Sequence, residues 1–334
     1  VSITAVLGAG SWGSTLGLLL AAKGDSVRFW EYDARLAAQI SKSHENKTFL
    51  PGIAWPHSIL VSNRIEEALE GADFVVFAVP SQVLRSVARR AAPHVPGNAV
   101  LTSVVKGIEK GTLVRMSEVL EEEMSLPGRN LKLGVLLGPS LANEVVRGIP
   151  TTVVASSVSA DVARGIQDRF RTRFFRVYTN EDLVGVELGV SLKNVIAIAA
   201  GICDGLGYGA NTKGALLTRG LAEISRLGTA MGARRETFAG LTGMGDLITT
   251  CISPHSRNRH VGEEIGRGKS LSEVLAQMVM VAEGVETAVS TMDLARRMQV
   301  EMPITEQVHR VLFENKSPKK AIKELMTRDP KDEF

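Results

Sequence analysis

The sequence predicts an α/β chain in two parts, a doubly wound parallel sheet over residues 1–179 and an all-helical half over residues 180–334. Three observations carry that expectation. A strand, a glycine turn, a helix and a second strand follow one another at the start of the chain. Continuous apolar runs bounded by turn signals then recur through the first half, as strands covered on both faces require. After about Asn180 those runs stop and helical spacing takes over.

The first strand is "SITAVL", and the turn "GAGSWG" follows it at once. "SWGSTLGLLLAAKG" has apolar residues at helical spacing and closes on Gly24, and "SVRFWEYD" reads as the second strand. In that setting Gly8 permits a tight turn, Gly10 lets a pyrophosphate approach the backbone, and Gly13 lets the helix pack close to the sheet. The helix start adds its N–H groups and the positive end of its dipole. This is the fingerprint of a Rossmann-type dinucleotide-binding domain. Further strands are expected at "DFVVFAVP" (73–80), "NAVLTSVVKG" (98–107), "LKLGVLLGPS" (131–140) and "TTVVASS" (151–157), with "RFFRVYT" (173–179) as an edge strand. Ligands in such sheets bind beyond the carboxyl ends of strands, where "VPS" (79–81), "VVKG" (104–107) and "GPS" (138–140) fall.

In the second half, "LVGVELGVSLKNVIAIAAGICDG" is apolar on nearly every side, which marks a buried central helix. "NTKGALLTRGLAEISRLG" follows, and further helices are expected near 256–267, 284–298, 303–314 and 318–327. The cleft between the halves is the natural place for a site.

Composition narrows the class. The 334 residues suffice for two cores, and 44% hydrophobic with 22% charged residues is the balance of a soluble globular protein. The 39 basic against 36 acidic residues include no basic run interleaved with aromatics, so nucleic acid is not an expected partner. Two cysteines, Cys203 and Cys251, make neither a disulfide framework nor a metal site, and fit a reducing, cytoplasmic setting. No apolar run is read as approaching the ~18 residues of a membrane span, and the start lacks a signal peptide's charged segment.

Several residues could carry chemistry. Lys193 interrupts an apolar helix, so it either snorkels to water, pairs with a carboxylate, or serves as a tuned acid and base. Lys106 lies at a strand end and reads equally as a surface lysine or a substrate contact. Asp246, within "GLTGMGDL", either caps the next turn or belongs to a constrained site. In "SPHSRNRH", Ser256 is a candidate N-cap with Arg257 and Asn258 in the first turn, which makes either a phosphate site or a solvated charge run. No metal-binding or serine-nucleophile motif is present.

Taken together, "GAGSWG", "VVKGIE", "GPSLANEV", "VSLKNVIAIAAGICDGLGYGANTKGALLTRGLAEISRLG", "GLTGMGDLITTC", "SRNR", "VAEGVETA" and "EMPITEQV" resemble the bacterial NAD(P)-dependent glycerol-3-phosphate dehydrogenases over almost the whole chain. The resemblance implies reduction of dihydroxyacetone phosphate by NADH or NADPH, feeding phospholipid synthesis. It makes Lys193 the proton donor and acceptor, with Lys106 and Asp246 assisting. Gly138, Ser140, Ser256, Arg257 and Asn258 would line the substrate pocket. Ser11, Trp12, Tyr32, Ala142, Val281 and Glu283 would meet the cofactor, as would Lys106 and Arg257. Glu31 and Asp33, after the second strand, could accept from a ribose hydroxyl and repel a 2′-phosphate, with Arg35 compensating, so a modest lean to NADH is expected. A homodimer is expected from the apolar helical half. The rival readings are a two-domain dehydrogenase of a β-hydroxy acid and a non-catalytic NAD(H)-sensing module.

Overall fold

The computed structural model describes residues 2–127, 130–330 and 332–333. The chain forms two compact units, one running to Glu109 and from Val114 to Glu187, the other comprising Lys110–Leu113 and everything from Leu188.

The first unit holds strands β1 (Ile3–Leu7), β2 (Ser26–Trp30), β3 (Leu60–Ser62), β4 (Phe74–Phe77), β5 (Val100–Ser103), β6 (Lys132–Leu137), β7 (Thr151–Ser156) and β8 (Phe175–Asn180). They form one sheet in the order β3-β2-β1-β4-β5-β6-β7-β8. Its helices are α1 (Ser11–Ala22), α2 (Ala34–Ser43), α3 (Ile65–Leu69), α4 (Leu84–Ala91), α5 (Met116–Met124), α6 (Ala142–Val145) and α7 (Ala160–Phe170). Alternate residues of β1 serve opposite faces. Ala5 and Leu7 join Val75 and Phe77 in one core, while Val6 joins Phe29 and Val76 in the other. Burial of each valine, leucine or phenylalanine among them contributes about 1.5–3 kcal/mol, and two covered faces explain the unbroken apolar runs.

The expected all-parallel sheet needs one correction. β7 pairs antiparallel with β6, and β8 then pairs parallel with β7. The β6–β7 link carries only the four-residue α6, too little helix for a parallel crossover, whereas the full-length α7 returns the chain parallel from β7 to β8. Strand β3, three residues at the opposite edge, has too short a pattern to show in the sequence.

Helix α8 (Leu183–Gly205) passes from the first unit into the second. Along the chain the compact units divide at Glu187/Leu188. Glu187 stays with the first unit because its buried carboxylate accepts from the Ser117 N–H at 2.8 Å and hydroxyl at 2.6 Å, and pairs with Arg115. Burial holds that carboxyl above the usual range. Against the sequence expectation, α8 is long and apolar enough by composition to cross a membrane. Its most apolar window is 89% buried within protein, as in a core helix.

The second unit continues with α9 (Ala210–Ala230), α10 (Arg235–Phe238), α11 (Asp246–Ile252), α12 (Arg257–Gly266), α13 (Leu271–Ala276), α14 (Glu283–Met298), α15 (Pro303–Phe313) and α16 (Pro318–Met326). Helices α8 and α12 meet through glycines four apart on each. A Cβ on Gly201 would lie 1.9 Å from the Arg259 carbonyl oxygen, and one on Gly262 1.9 Å from that of Ile198. The two backbones are in contact.

Candidate active site

Strand β1 delivers the chain to Gly8, whose φ of +110° is closed to most side chains. A Cβ there would sit 2.6 Å from the Ala78 carbonyl oxygen, and one on Gly13 2.1 Å from that of Gly8. The fold itself requires both. Gly10 is different, because nothing lies within 4 Å of a Cβ built on it. It is the N-cap of α1, with no side-chain cap over the helix start. An open backbone at an uncapped helix N-terminus is what a pyrophosphate needs, so these residues fit a dinucleotide.

The neighbouring cofactor candidates fall into place unevenly. The Ser11 hydroxyl donates to the Phe49 carbonyl at 2.7 Å. The Trp12 ring lies 6.3 Å from that of Phe175, and Ala142 opens α6 beside α1. Tyr32 is 80% exposed. Glu31 accepts from the Ala9 and Asp33 N–H groups, both at 3.1 Å, and Asp33 caps α2. Both carboxylates read from the sequence as ribose acceptors therefore already have backbone partners.

Lys106 and Gly138 follow the paired strands β5 and β6, and the structure brings them together. The Lys106 ammonium donates to the Gly138 carbonyl at 2.8 Å, as does the Ser140 hydroxyl at 3.0 Å. Gly138 has φ of +143°, with Val153 Cα 3.1 Å from a would-be Cβ.

In the second unit Lys193 is 4% exposed, which excludes snorkelling. Its Nζ lies 3.1 Å from Oδ1 of Asp246, itself 2% exposed, and donates to the Thr250 hydroxyl. Local packing explains the meeting. A Cβ on Gly189 would stand 2.5 Å from the Thr242 carbonyl oxygen, so the π-helical turn Leu241–Gly245 rests on the α8 backbone. One helical turn further along each segment, Lys193 faces Asp246. Attraction to the carboxylate and a hydroxyl acceptor compensate the ammonium for lost water.

At the start of α12 the Ser256 side chain accepts from the Arg259 N–H at 3.2 Å, the cap expected from the sequence. Arg257 is exposed at its surface yet set among protein atoms that lower its pKa, with the Glu283 charge opposing. Asn258 is buried, donating to Asn194 Oδ1 at 2.9 Å and accepting from the Gly284 N–H at 2.9 Å. It ties α8, α12 and the start of α14 together. Glu283 opens α14, and Val281 just before it is 50% exposed.

Sequence reasoning did not single out Thr250 or Asn194 for this site. Thr250 was within reach, since it stands four residues after Asp246 on one helical face. Asn194 shows its part only through a tertiary contact with Asn258. Among the described residues no group of three or more His, Cys, Asp or Glu side chains could hold a metal ion.

A Rossmann-type unit with an open glycine turn, and a helical unit with a buried lysine–carboxylate pair, define a nicotinamide-nucleotide oxidoreductase. Comparison with known proteins gives the family. Residues 3–163 match the NAD-dependent glycerol-3-phosphate dehydrogenase N-terminus and residues 182–323 the C-terminus of the same family. The chain is 51% identical to the glycerol-3-phosphate dehydrogenase [NAD(P)+] of Citrifermentans bemidjiense, over 98% of each chain. It is 54% identical to that of Pelotomaculum thermopropionicum, over 97% of this chain and 93% of the relative. The crystal structure of glycerol-3-phosphate dehydrogenase from Coxiella burnetii superposes with a TM-score of 0.93 at 36% identity, covering 98% of this chain and 99% of that one. The chain belongs to the NAD-dependent glycerol-3-phosphate dehydrogenase family. Neither the β-hydroxy acid reading nor the sensing-module reading is favoured.

Proposed function

We propose that this chain reduces dihydroxyacetone phosphate to sn-glycerol 3-phosphate, reversibly, with NADH or NADPH, and that Lys193 moves the proton. The observation that carries this reading is the sealed Lys193–Asp246–Thr250 cluster. The bound nicotinamide supplies the hydride. As the C2 carbonyl is reduced its oxygen gains negative charge, and the Lys193 ammonium stabilises that charge and gives up a proton. In reverse, the neutral amine takes the hydroxyl proton. Asp246 orients the ammonium, and Thr250 restricts it to one direction. Lys106, braced on Gly138, adds a second positive group for the substrate. Arg257, at an N-terminus with its dipole aimed outward, binds the phosphate, while Ser256 and Asn258 hold that helix start in place. The product feeds glycerophospholipid synthesis.

The deciding experiment follows NADH oxidation with dihydroxyacetone phosphate in wild type and Lys193→Ala. Loss of a positioned proton donor lowers kcat by about 10²–10⁴-fold with the fold intact. An undiminished rate in the variant removes Lys193 from the mechanism.

Glu31, partly buried at the end of β2, puts a carboxylate where a 2′-phosphate would be repelled. Both cofactors are expected to work, with kcat/KM modestly higher for NADH. A strong NADPH preference would show that Glu31 has been misread. A cytoplasmic homodimer completes the proposal. It is supported by two buried, unpaired thiols, pushed by burial to about 11 at Cys203 and about 12 at Cys251, and by the apolar helical half. Light scattering that returns a monomer mass would remove the dimer.

A further inference from the structure

Ala9, in the middle of the glycine turn, has both of its backbone polar groups held by distant side chains. Its N–H donates to Glu31 Oε2 at 3.1 Å. Its carbonyl accepts from Asn46 Nδ2 at 2.5 Å and from the Ser14 hydroxyl at 3.1 Å. Asn46 is fully buried, at 0% exposure, and lies in the loop between α2 and β3. That loop is docked on the turn. Asn46 Oδ1 accepts from the Phe49 N–H at 3.1 Å, Nδ2 also reaches the Ser14 hydroxyl at 3.1 Å, and the Ser11 hydroxyl donates to the Phe49 carbonyl at 2.7 Å.

A trans peptide sends its C=O and the following N–H in opposite directions within one plane. Holding the Ala9 carbonyl toward Asn46 therefore turns the Gly10 N–H the other way. That N–H has no partner among the described residues, and nothing lies within 4 Å of a Cβ built on Gly10. An amide fixed in this orientation before the ligand arrives saves the ordering that binding would otherwise require.

We propose that Asn46 is a positioning residue for the dinucleotide: by holding the Ala9 carbonyl, it aims the Gly10 N–H at the bound pyrophosphate. This rests on the dinucleotide reading of the turn. Asn46 acts through Ala9 and touches no reacting atom.

The test is Asn46→Asp, which keeps the acceptor for the Phe49 N–H, removes the donor to Ala9, and sets one oxygen against another. The dissociation constant for NADH, read from its own fluorescence on titration with the apoenzyme, is expected to rise roughly tenfold. KM for NADH rises in step, while KM for dihydroxyacetone phosphate stays put. A merely structural asparagine would lower Tm and leave the dissociation constant of the folded variant unchanged, and that result overturns the proposal. Should Asn46→Asp not fold, Asn46→Ser reads the same constant, and a wild-type value from it is equally fatal. Wild-type protein that binds no NADH removes the dinucleotide reading, and the proposal with it.

Discussion

An ammonium as deeply enclosed as that of Lys193 depends on its partners. Thr250→Val removes one of them while preserving side-chain shape, so Lys193 keeps Asp246 but loses the hydrogen bond to the hydroxyl. The expected result is a kcat about tenfold lower with KM for dihydroxyacetone phosphate little changed, measured by steady-state kinetics. Arg257→Ala should do the opposite, raising that KM far more than it lowers kcat. An unchanged KM would contradict the phosphate assignment. The contrast also shows which residues were legible in the sequence. Lys193, Asp246 and Arg257 stand out because a charge in an apolar helix, a glycine-rich turn or a first helical turn has to be accounted for. Thr250 and Asn194 carry no such mark, and Asn46 lies in a loop with no periodic pattern.

Helix α15 starts beneath a buried acid. Glu223, on α9 and 2% exposed, accepts from the Ile304 N–H at 2.7 Å and from the Thr305 N–H at 3.3 Å, capping the helix from outside. Burial outweighs those bonds and pushes its pKa up to about 7 from 4.5. The folded chain therefore holds a proton that the unfolded chain has lost between those values. The stability this group contributes is complete below about pH 4.5 and disappears as pH rises through about 7. Relative to wild type, Glu223→Gln should flatten this part of the stability–pH curve, by at most about 3 kcal/mol. Parallel curves from urea unfolding would show that the acid is not buried as described. At this scale the sequence was readable wherever periodicity was long. It gave β1, β2, the strands from β4 to β8 and most of the second-unit helices. It missed the direction of β7, which depends on how little helix the preceding link contains, and the π-helical turn before Asp246.

For the whole chain, the three tryptophans, Trp12, Trp30 and Trp55, all lie in the first unit. Their fluorescence follows that unit alone, whereas circular dichroism is weighted toward the helices of the second. Free NADH at a hundredfold its dissociation constant stabilises what binds it by about 2.7 kcal/mol. The fluorescence transition in urea is expected to move further with NADH than the dichroism transition. Coincident shifts would mean that the two units unfold as one. Two-part architecture was visible from the change in texture near Asn180, and α8 carries Glu187 into the first unit before continuing as part of the second. The glycine contact between α8 and α12 bears on how such an enzyme can diversify. At the glycine contacts themselves there is no side chain to trim, and any enlargement meets backbone, so mutation at those positions has no gradual way to shift α8 against α12. New substrates are more accessible through exposed side chains such as Arg257, at the start of α12, than through that backbone contact.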